Sequence, residues 1–491
     1  MEIHSGITAS TYRKMKKFAL YFLGFVAILS CNNDVTLGCR YAAKAPIYPD
    51  YMDVTIPVGI APLNFDYIEP CEECVTKFSA GNIEYVFEGT SVRWKTSQWN
   101  SLVEAAKGGE IKVYSSAPDT SWTIKVSDDA IDYGLAYRLL EPGYEVYSKM
   151  GIYERELSSF KQKALIENTE FDGCVNCHSF NRTSPEDFSL HIRGDHGATI
   201  LRSRGEMDAY NTKTDSTLGF CVYPAWHPSG KYIAYSTNAT RQLFHVHPDK
   251  LIEVFDMDSD MLVYDIDGNE IVVSPDVCQE DYWETFPSFS ADGSTLYFCR
   301  AVAVKEIPDS LHTVRYNLCK VNFNAETGAY EGPVETVVDA ASAGKSVSFP
   351  KASYDGRFIA YTLSDYGQFS IWHHEADLWL LDLATGESRP MQELNSPDVE
   401  SYHSWSSNSR WLVFSSRRDD GLFTRLYISH IAQDGSVGKP FMLPQKEPLK
   451  FYTDLFMSYN VPEFVSGPVT LQTNRAVKMI DSPERKQMGI R

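Results

Sequence analysis

The sequence predicts an all-β chain, a β-propeller of about six blades preceded by a small β-sandwich. Two observations carry this expectation. A gapless phrase recurs four times, at Tyr223–Tyr235, Phe286–Phe298, Phe349–Tyr361 and Tyr402–Phe414, with spacings of 63, 63 and 53 residues. Each copy is followed by an alternating apolar strand closed by a turn pair: Leu262–Ile266 before Asp267-Gly268, Tyr316–Val321 before Thr327-Gly328, Leu378–Leu383 before Thr385-Gly386, and Leu426–His430 before Asp434-Gly435. Each unit therefore supplies about four strands, the content of one blade. A single such sheet cannot bury both faces, whereas blades stacked in a ring can.

From the N-terminus, the first element is an export signal. Met15–Cys31 has a basic start, a short apolar core and a small residue ahead of the cleavage point. The core is too short to span a bilayer. Ile28-Leu29-Ser30-Cys31 resembles the lipobox of bacterial lipoproteins, which implies a true start at Met15, a lipid on Cys31 and an envelope location. With Asn32 next in the chain, the expected anchor is in the outer membrane, facing the periplasm or the cell surface. Residues 1–30 then form the signal and 31–50 a linker. The full chain carries 45 basic and 65 acidic residues, a net charge of −20; without residues 1–30 the counts are 41 and 64, a net charge of −23. Such an acidic chain is a poor partner for nucleic acid or for anionic lipid headgroups, so membrane attachment is expected through the lipid alone.

Residues 51–150 alternate apolar and polar positions between turn signals, at Glu84–Glu88, Val92–Trp94, Ile111–Tyr114 and Trp122–Val126. They read as a small sandwich of the immunoglobulin-like sort. A helix is predicted at Leu157–Asn168, inside a connecting segment 151–173. Cys71 and Cys74 form a CxxC without a following His, which suits a local disulfide in an oxidising compartment. Cys39, Cys278 and Cys319 stand singly, while Cys221 and Cys299 lie in apolar runs and read as buried thiols.

The motif that carries chemistry is Cys174-Val175-Asn176-Cys177-His178. In an exported chain, CxxCH is the attachment signal for c-type haem: two thiols add across the vinyl groups and the imidazole binds iron axially. One covalent haem c is thus expected, on Cys174 and Cys177, with His178 as proximal ligand. His191, His196 and His403 are the foremost candidates for the second axial position, with Met207, His245, His247, His373 and His374 behind them. Three other readings of the motif stay open. One is a structural Cys174–Cys177 disulfide. Another is a zinc site, although the second CxxC lies about a hundred residues away. The third, a thioredoxin-like pair, lacks the βαβ setting that chemistry uses. The flanks of the motif are strand-like and no Met-bearing helix follows, unlike the small soluble cytochromes c.

The blade phrases resemble the WD40-like repeats of the TolB propeller family, in the form aromatic-Pro-x-aromatic-Ser-x-Asp-Gly-x-x-Ile-Ala-Tyr. The resemblance spans residues 223–435 and implies a TolB-like propeller of six blades. Extended backwards, it makes Cys177–Phe180 with Asp187–Ile192 another blade opening, with His178 in the place of Pro224, Pro287 and Pro350, and His403 at the same repeat position. A strand pair around Phe451–Phe464 would complete the ring, giving a propeller over 174–491. Propellers host unrelated functions, so the fold does not choose among them. The leading expectation is a haem c propeller for electron transfer or redox sensing, its redox partner unspecified. The main alternative is a TolB-like scaffold binding protein or glycan, with Cys174 and Cys177 as a disulfide. A weaker one is a propeller lyase or hydrolase, with His191, His245 and His373 converging on the channel. No Gly-rich phosphate loop, GxSxG elbow or HExxH occurs.

Overall fold

The computed structural model describes residues 46–491 except 70–73, 142–147, 172, 216 and 248–249, together with the backbone but not the side chains of 245–247. The signal, Cys31, Cys39, most of the linker and Cys71 lie outside the described residues. Among the described residues no helix is long and apolar enough to cross a membrane.

The N-terminal sandwich has two sheets. One places Thr55–Pro57, Asp119–Ser127, Glu110–Ser116, Val75–Ala80 and Ile83–Glu88 side by side in that order, and the other joins Ile47–Tyr48, Phe65–Tyr67 and Ser91–Val92. Alternation builds the inner face: Ile111 and Val113 are buried while Glu110, Lys112 and Tyr114 face water. Phe65 of the smaller sheet meets Phe78 and Trp122 of the larger at ring separations of 6.3 and 6.4 Å. A helix at Thr96–Ala105, not anticipated from the strand pattern, buries Trp99, Leu102 and Val103 at i, i+3 and i+4.

Six sheets follow, as expected for the propeller, each with four antiparallel strands; blades 2 and 3 gain a fifth, parallel strand at their outer edges, Lys486–Gln487 and Gly489–Ile490. Blades 2 to 6 each run outward from an inner strand: Cys174–Phe180, Cys221–Trp226, Tyr282–Phe289, Ser346–Ala352 and Glu400–Trp405. Blade 1 is composite. Its inner strand, Ser458–Val465, comes from the C-terminal end and pairs with Gly134–Leu140, which pairs with Met150–Glu156 and then Gln162–Glu167. This exchange closes the ring, because a strand from the C-terminal end of the chain lies inside the first three of the propeller.

Three boundaries therefore differ from the sequence reading. The propeller begins at Gly134 rather than 174, and the sandwich ends near Ser127 rather than 150. Among the described residues the connecting segment 151–173 holds no α-helix, only a single 3-10 turn at Asn168–Glu170: its Lys, Gln, Ala and Leu favour a helix locally, but Gln162–Glu167 is the outer strand of blade 1, where Leu165 and Ile166 enter the core. Ladder pairing and burial override propensity there. Near the C-terminus, Phe451 sits in a short helix, Pro448–Asp454, so a single strand rather than a pair completes the ring.

Every inner strand carries a two-residue bulge. In five blades the first bulge residue is left-handed, at Tyr223, Phe286, Phe349, Tyr402 and Val461, with φ between 42° and 52°. Bulky residues rarely adopt that conformation. The residue after it is Pro224, Pro287, Pro350, His403 or Pro462. Proline fits because a bulge residue is excused from donating to the ladder. Blade 2 departs from this rule. Counted from its turn, His178 matches Pro224, yet His178 is back in the ladder opposite Leu190, and the bulge falls one residue earlier, at Asn176-Cys177, with no left-handed residue.

Candidate ligand funnel on the propeller axis

The six bulges point at the axis and build one cavity of about 280 Å³, near the lower end of ligand clefts (~300–1,000 Å³). Four of the left-handed residues form a collar of touching rings: Tyr223 to Phe286 at 4.5 Å, Phe286 to Phe349 at 4.4 Å and Phe349 to Tyr402 at 4.8 Å. The first is edge-on and the other two tilted, and aromatic pairs that avoid a face-to-face sandwich are favourable beyond their burial. Val461 and the Asn176-Cys177 bulge occupy the two remaining positions. A thiol thus stands where the other blades place a ring or a branched side chain.

Cys174, Cys177 and His178 all line this funnel. Residues three apart on a regular strand face opposite ways; the bulge restores the phase, so both thiols reach the same space. Both are free thiols. The structure therefore carries no Cys174–Cys177 disulfide, contrary to the alternative reading. Cys174 Sγ lies 3.3 Å from Met150 Sδ of blade 1, and Asn176 Nδ2 donates to Cys177 Sγ at 3.1 Å. Arg138 of blade 1 pins the bulge by donating to the Asn176 carbonyl (2.8 Å) and to its Oδ1 (3.2 Å).

His178 is 4% exposed, and its ring lies against the backbone of Ala136 and Val461. Burial, helped by the Arg138 charge, lowers its pKa to about 3, so the imidazole is neutral, the form that binds a metal. His403 lines the same funnel. Its Nε2 approaches the Ala360 carbonyl at 2.9 Å, and burial lowers its pKa to about 4 against the backbone contacts of Ala360 and Phe349.

The other predicted ligands are placed elsewhere. His191 lies on the second strand of blade 2, where Nδ1 contacts Thr199 Oγ1 at 3.0 Å and the ring packs on Phe220. His196 sits in the turn that follows, and Met207 is in the core between blades 1 and 2. His374 Nδ1 is 2.9 Å from Asp398. His373 is held by two glutamates, with Nε2 at 3.2 Å from Glu253 and Nδ1 at 3.4 Å from Glu375. The side chains of His245 and His247 lie outside the described residues. The convergence of His191 and His373 on the channel is thus corrected: neither lines the funnel, because His191 projects along its blade and His373 serves a contact between blades. Among the described residues, no three His, Cys, Asp or Glu side chains cluster as a metal site. Cys221 and Cys299 are buried thiols as expected, their pKa values raised by burial, to about 12 for Cys221.

Several lining groups gave no signal in the sequence. Blade 3 extends two strands, Tyr232–His247 and Lys250–Asp265, far beyond the blade as an arm, and Thr240, Gln242, Phe244, Ile252 and Val254 from it wall the funnel. The arm docks on blade 5: Lys250 Nζ and Glu253 Oε2 both bond the Tyr366 hydroxyl, at 2.5 and 2.7 Å. Arg417 stacks 3.4 Å from the centre of the Trp372 ring. Deeper in, Glu463 accepts the Phe180 backbone N–H at 2.8 Å, and burial raises its pKa to about 7 against the opposing charge of Lys351.

No protein-family model matches the chain, and no curated protein matches it. Among solved structures, it is similar to a putative TolB from Agrobacterium tumefaciens, at 12% identity and TM-score 0.36 over 65% of this chain and 94% of that one. It is also similar to an oligogalacturonate lyase from Vibrio parahaemolyticus, at 14% identity and TM-score 0.36 over 60% and 71%. A third similar structure is the tricorn protease, at 13% identity and TM-score 0.35 over 68% and 38%. Likenesses of this size carry nothing about function. The chain is an all-β propeller on the evidence of its own six blades.

Proposed function

We propose that the funnel holds one haem c and that the chain is a haem-carrying propeller of the cell envelope. One observation supports this above the others: two free thiols and a buried, neutral imidazole, in CxxCH order, line a single cavity. Cys174 and Cys177 would be the thioether donors and His178 the axial ligand. Of the three foremost candidates for the opposite axial position, His403 alone lines the same space. The aromatic collar and the Met150 thioether supply an apolar bed that keeps water from the iron. Haem would bring a one-electron redox couple, the basis for electron transfer or redox sensing.

The test is expression with its export signal in a host that carries haem-attachment machinery. The expected product is red, has a c-type Soret band, gains one haem in mass and carries lipid on the peptide beginning at Cys31. Replacing both thiols, Cys174→Ser with Cys177→Ser, abolishes covalent haem. A colourless protein of unmodified mass refutes the proposal.

A further inference from the structure

One position recurs on the second strand of every blade. In blades 1, 3, 4, 5 and 6 it pairs with the residue just ahead of the inner-strand bulge, and it holds Arg138, Ser236, Cys299, Thr362 and Ser415. In blade 2 it holds His191, opposite the displaced bulge. Arg138 is half-buried and the other five are buried.

The serines show what this position touches, the inner strand of the next blade. Ser236 Oγ lies 3.0 Å from Thr285 Oγ1 and 3.5 Å from the Glu284 carbonyl, and Ser415 Oγ donates to the Tyr459 carbonyl at 3.1 Å. Both carbonyls belong to the second residue ahead of a bulge. Arginine is longer, and Arg138 reaches one residue further in, where its Nη1 donates to the Asn176 carbonyl at 2.8 Å and to Oδ1 at 3.2 Å. Counted from the turn, Asn176 matches Val222, Thr285, Ser348, Ser401 and Asn460, all of which pair in their ladders. Asn176 is out of its ladder, and the bulge lies one residue early. The arginine and the displaced bulge thus meet at one blade junction. A histidine does not cause the displacement: blade 6 carries His403 at the repeat position of His178 and keeps the ordinary bulge at Tyr402-His403.

We propose that Arg138 is the positioning residue of the CxxCH strand. By holding the Asn176 carbonyl out of the ladder from the neighbouring blade, it sets the bulge at Asn176-Cys177 and fixes where Cys177 and His178 stand relative to each other. Arginine suits the task because it always carries its charge and donates along fixed directions. A charge-assisted bond of this kind is stronger than the neutral ladder bond it replaces. The bulge follows from strand geometry alone; its use, presenting the His178 ring to iron beside the Cys177 thioether, rests on the haem reading.

The test is a crystal structure of the full chain without haem, wild type beside Arg138→Met, which keeps the stem of the side chain and loses its donors. In the variant, the bulge is expected one residue later, at Cys177-His178, with Asn176 paired opposite His191 and Cys177 left-handed, its φ near the 42° to 52° of the five sister blades. Arg138→Lys, which keeps a charged donor, should hold the wild-type bulge. Should Arg138→Met not fold, Arg138→Ala is read in the same way. A bulge that stays at Asn176-Cys177 in a neutral variant overturns the proposal. The second readout is the absorption spectrum of protein carrying covalent haem. Arg138→Met should turn a low-spin spectrum high-spin as His178 leaves the iron, and added imidazole should restore it; imidazole refills a vacated iron position and does not repair a misfolded chain. A moved bulge with an unchanged spectrum overturns the positioning role. A moved bulge in a chain that takes up no haem keeps Arg138 as the setter of the strand and sinks the haem reading. An unmoved bulge in a chain that carries haem does the reverse.

Discussion

Replacing His373 with Gln should release the arm that walls the funnel while leaving the blades folded. His373 is 1% exposed and lies between Glu253 of the arm and Glu375 of its own blade. The two carboxylates raise its pKa above the ordinary value, against the opposing effect of burial. Glu253 and Glu375 respond in kind, with Glu375 lowered to about 2 by His373 and backbone contacts, against the effect of its own burial. The Glu253 contact is buried and charge-assisted, worth about 2 kcal/mol. The Glu375 contact is longer, at 3.4 Å, and its carboxylate is 35% exposed, so screening leaves it little. A loss of about 2 kcal/mol multiplies the open population of the arm roughly thirtyfold. Hydrogen–deuterium exchange over residues 240–256 reads this directly, with the blade 4 and 5 strands as the unchanged control. The pH dependence has a fixed sign. A histidine with a raised folded pKa stabilises fully below its unfolded value, about 6.5, and loses that contribution as pH rises through the folded value. The lowered carboxylates stabilise above about 4.5 and lose it only as pH falls toward 2. The arm is therefore held most firmly between those limits and loosens on the alkaline side. Exchange in His373→Gln equal to wild type would refute the latch. So would a wild-type arm whose protection, corrected for base-catalysed exchange, is flat from pH 6 to 9.

The collar and the buried acid make two further predictions. Phe286→Ala removes the central ring of the collar, which touches both Tyr223 and Phe349, and should cost about 3–5 kcal/mol in chemical denaturation; a cost below 1 kcal/mol would mean that the collar is not packed. Glu463, buried with its pKa raised to about 7, is penalised when ionised, so wild-type stability should fall as pH rises from about 4.5 through 7. Glu463→Gln keeps an acceptor for the Phe180 N–H, and it should remove that slope and match or exceed wild type at pH 8, by up to about 3 kcal/mol; a variant less stable at pH 8 would show that the carboxylate is needed charged.

What the sequence reveals follows from how local each signal is. The blade phrase is legible because strand, bulge, turn and return strand lie within thirteen consecutive residues, as in Phe286–Phe298. Blade 1 is not, since its strands are drawn from residues 134–167 and 458–465, and its bulge reads Val461-Pro462 rather than aromatic-Pro. Lys161–Glu167 has helix-forming composition, and the partner strand that overrides it is invisible to a local reading. CxxCH announces its own chemistry, and the repeat register puts it on an inner strand. What surrounds it comes from other blades. Met150 precedes Cys174 by 24 residues, Arg417 and His403 follow by more than two hundred, and Glu253 meets His373 across 120. Nothing in a single sequence pairs residues over such distances.

The displaced bulge of blade 2 explains why the funnel lies open at the motif. In five blades, a left-handed residue turns a large side chain onto the axis, and proline or histidine then holds the bulge. Were blade 2 to follow, an aromatic at position 177 would close the collar. Instead the bulge shifts by one residue, and that shift does three things at once. It brings Cys177 into phase with Cys174, so that both thiols line the funnel. It frees the Asn176 carbonyl from the ladder, where Arg138 takes it. And it returns His178 to the ladder, fixing the backbone of a buried imidazole that lines the funnel. Burying an imidazole takes it out of water at a cost, and a strand out of step with its five sisters gives up their shared packing. Both costs fall on the one blade that carries CxxCH, as they would if a ligand, and not the fold, set the geometry of that strand.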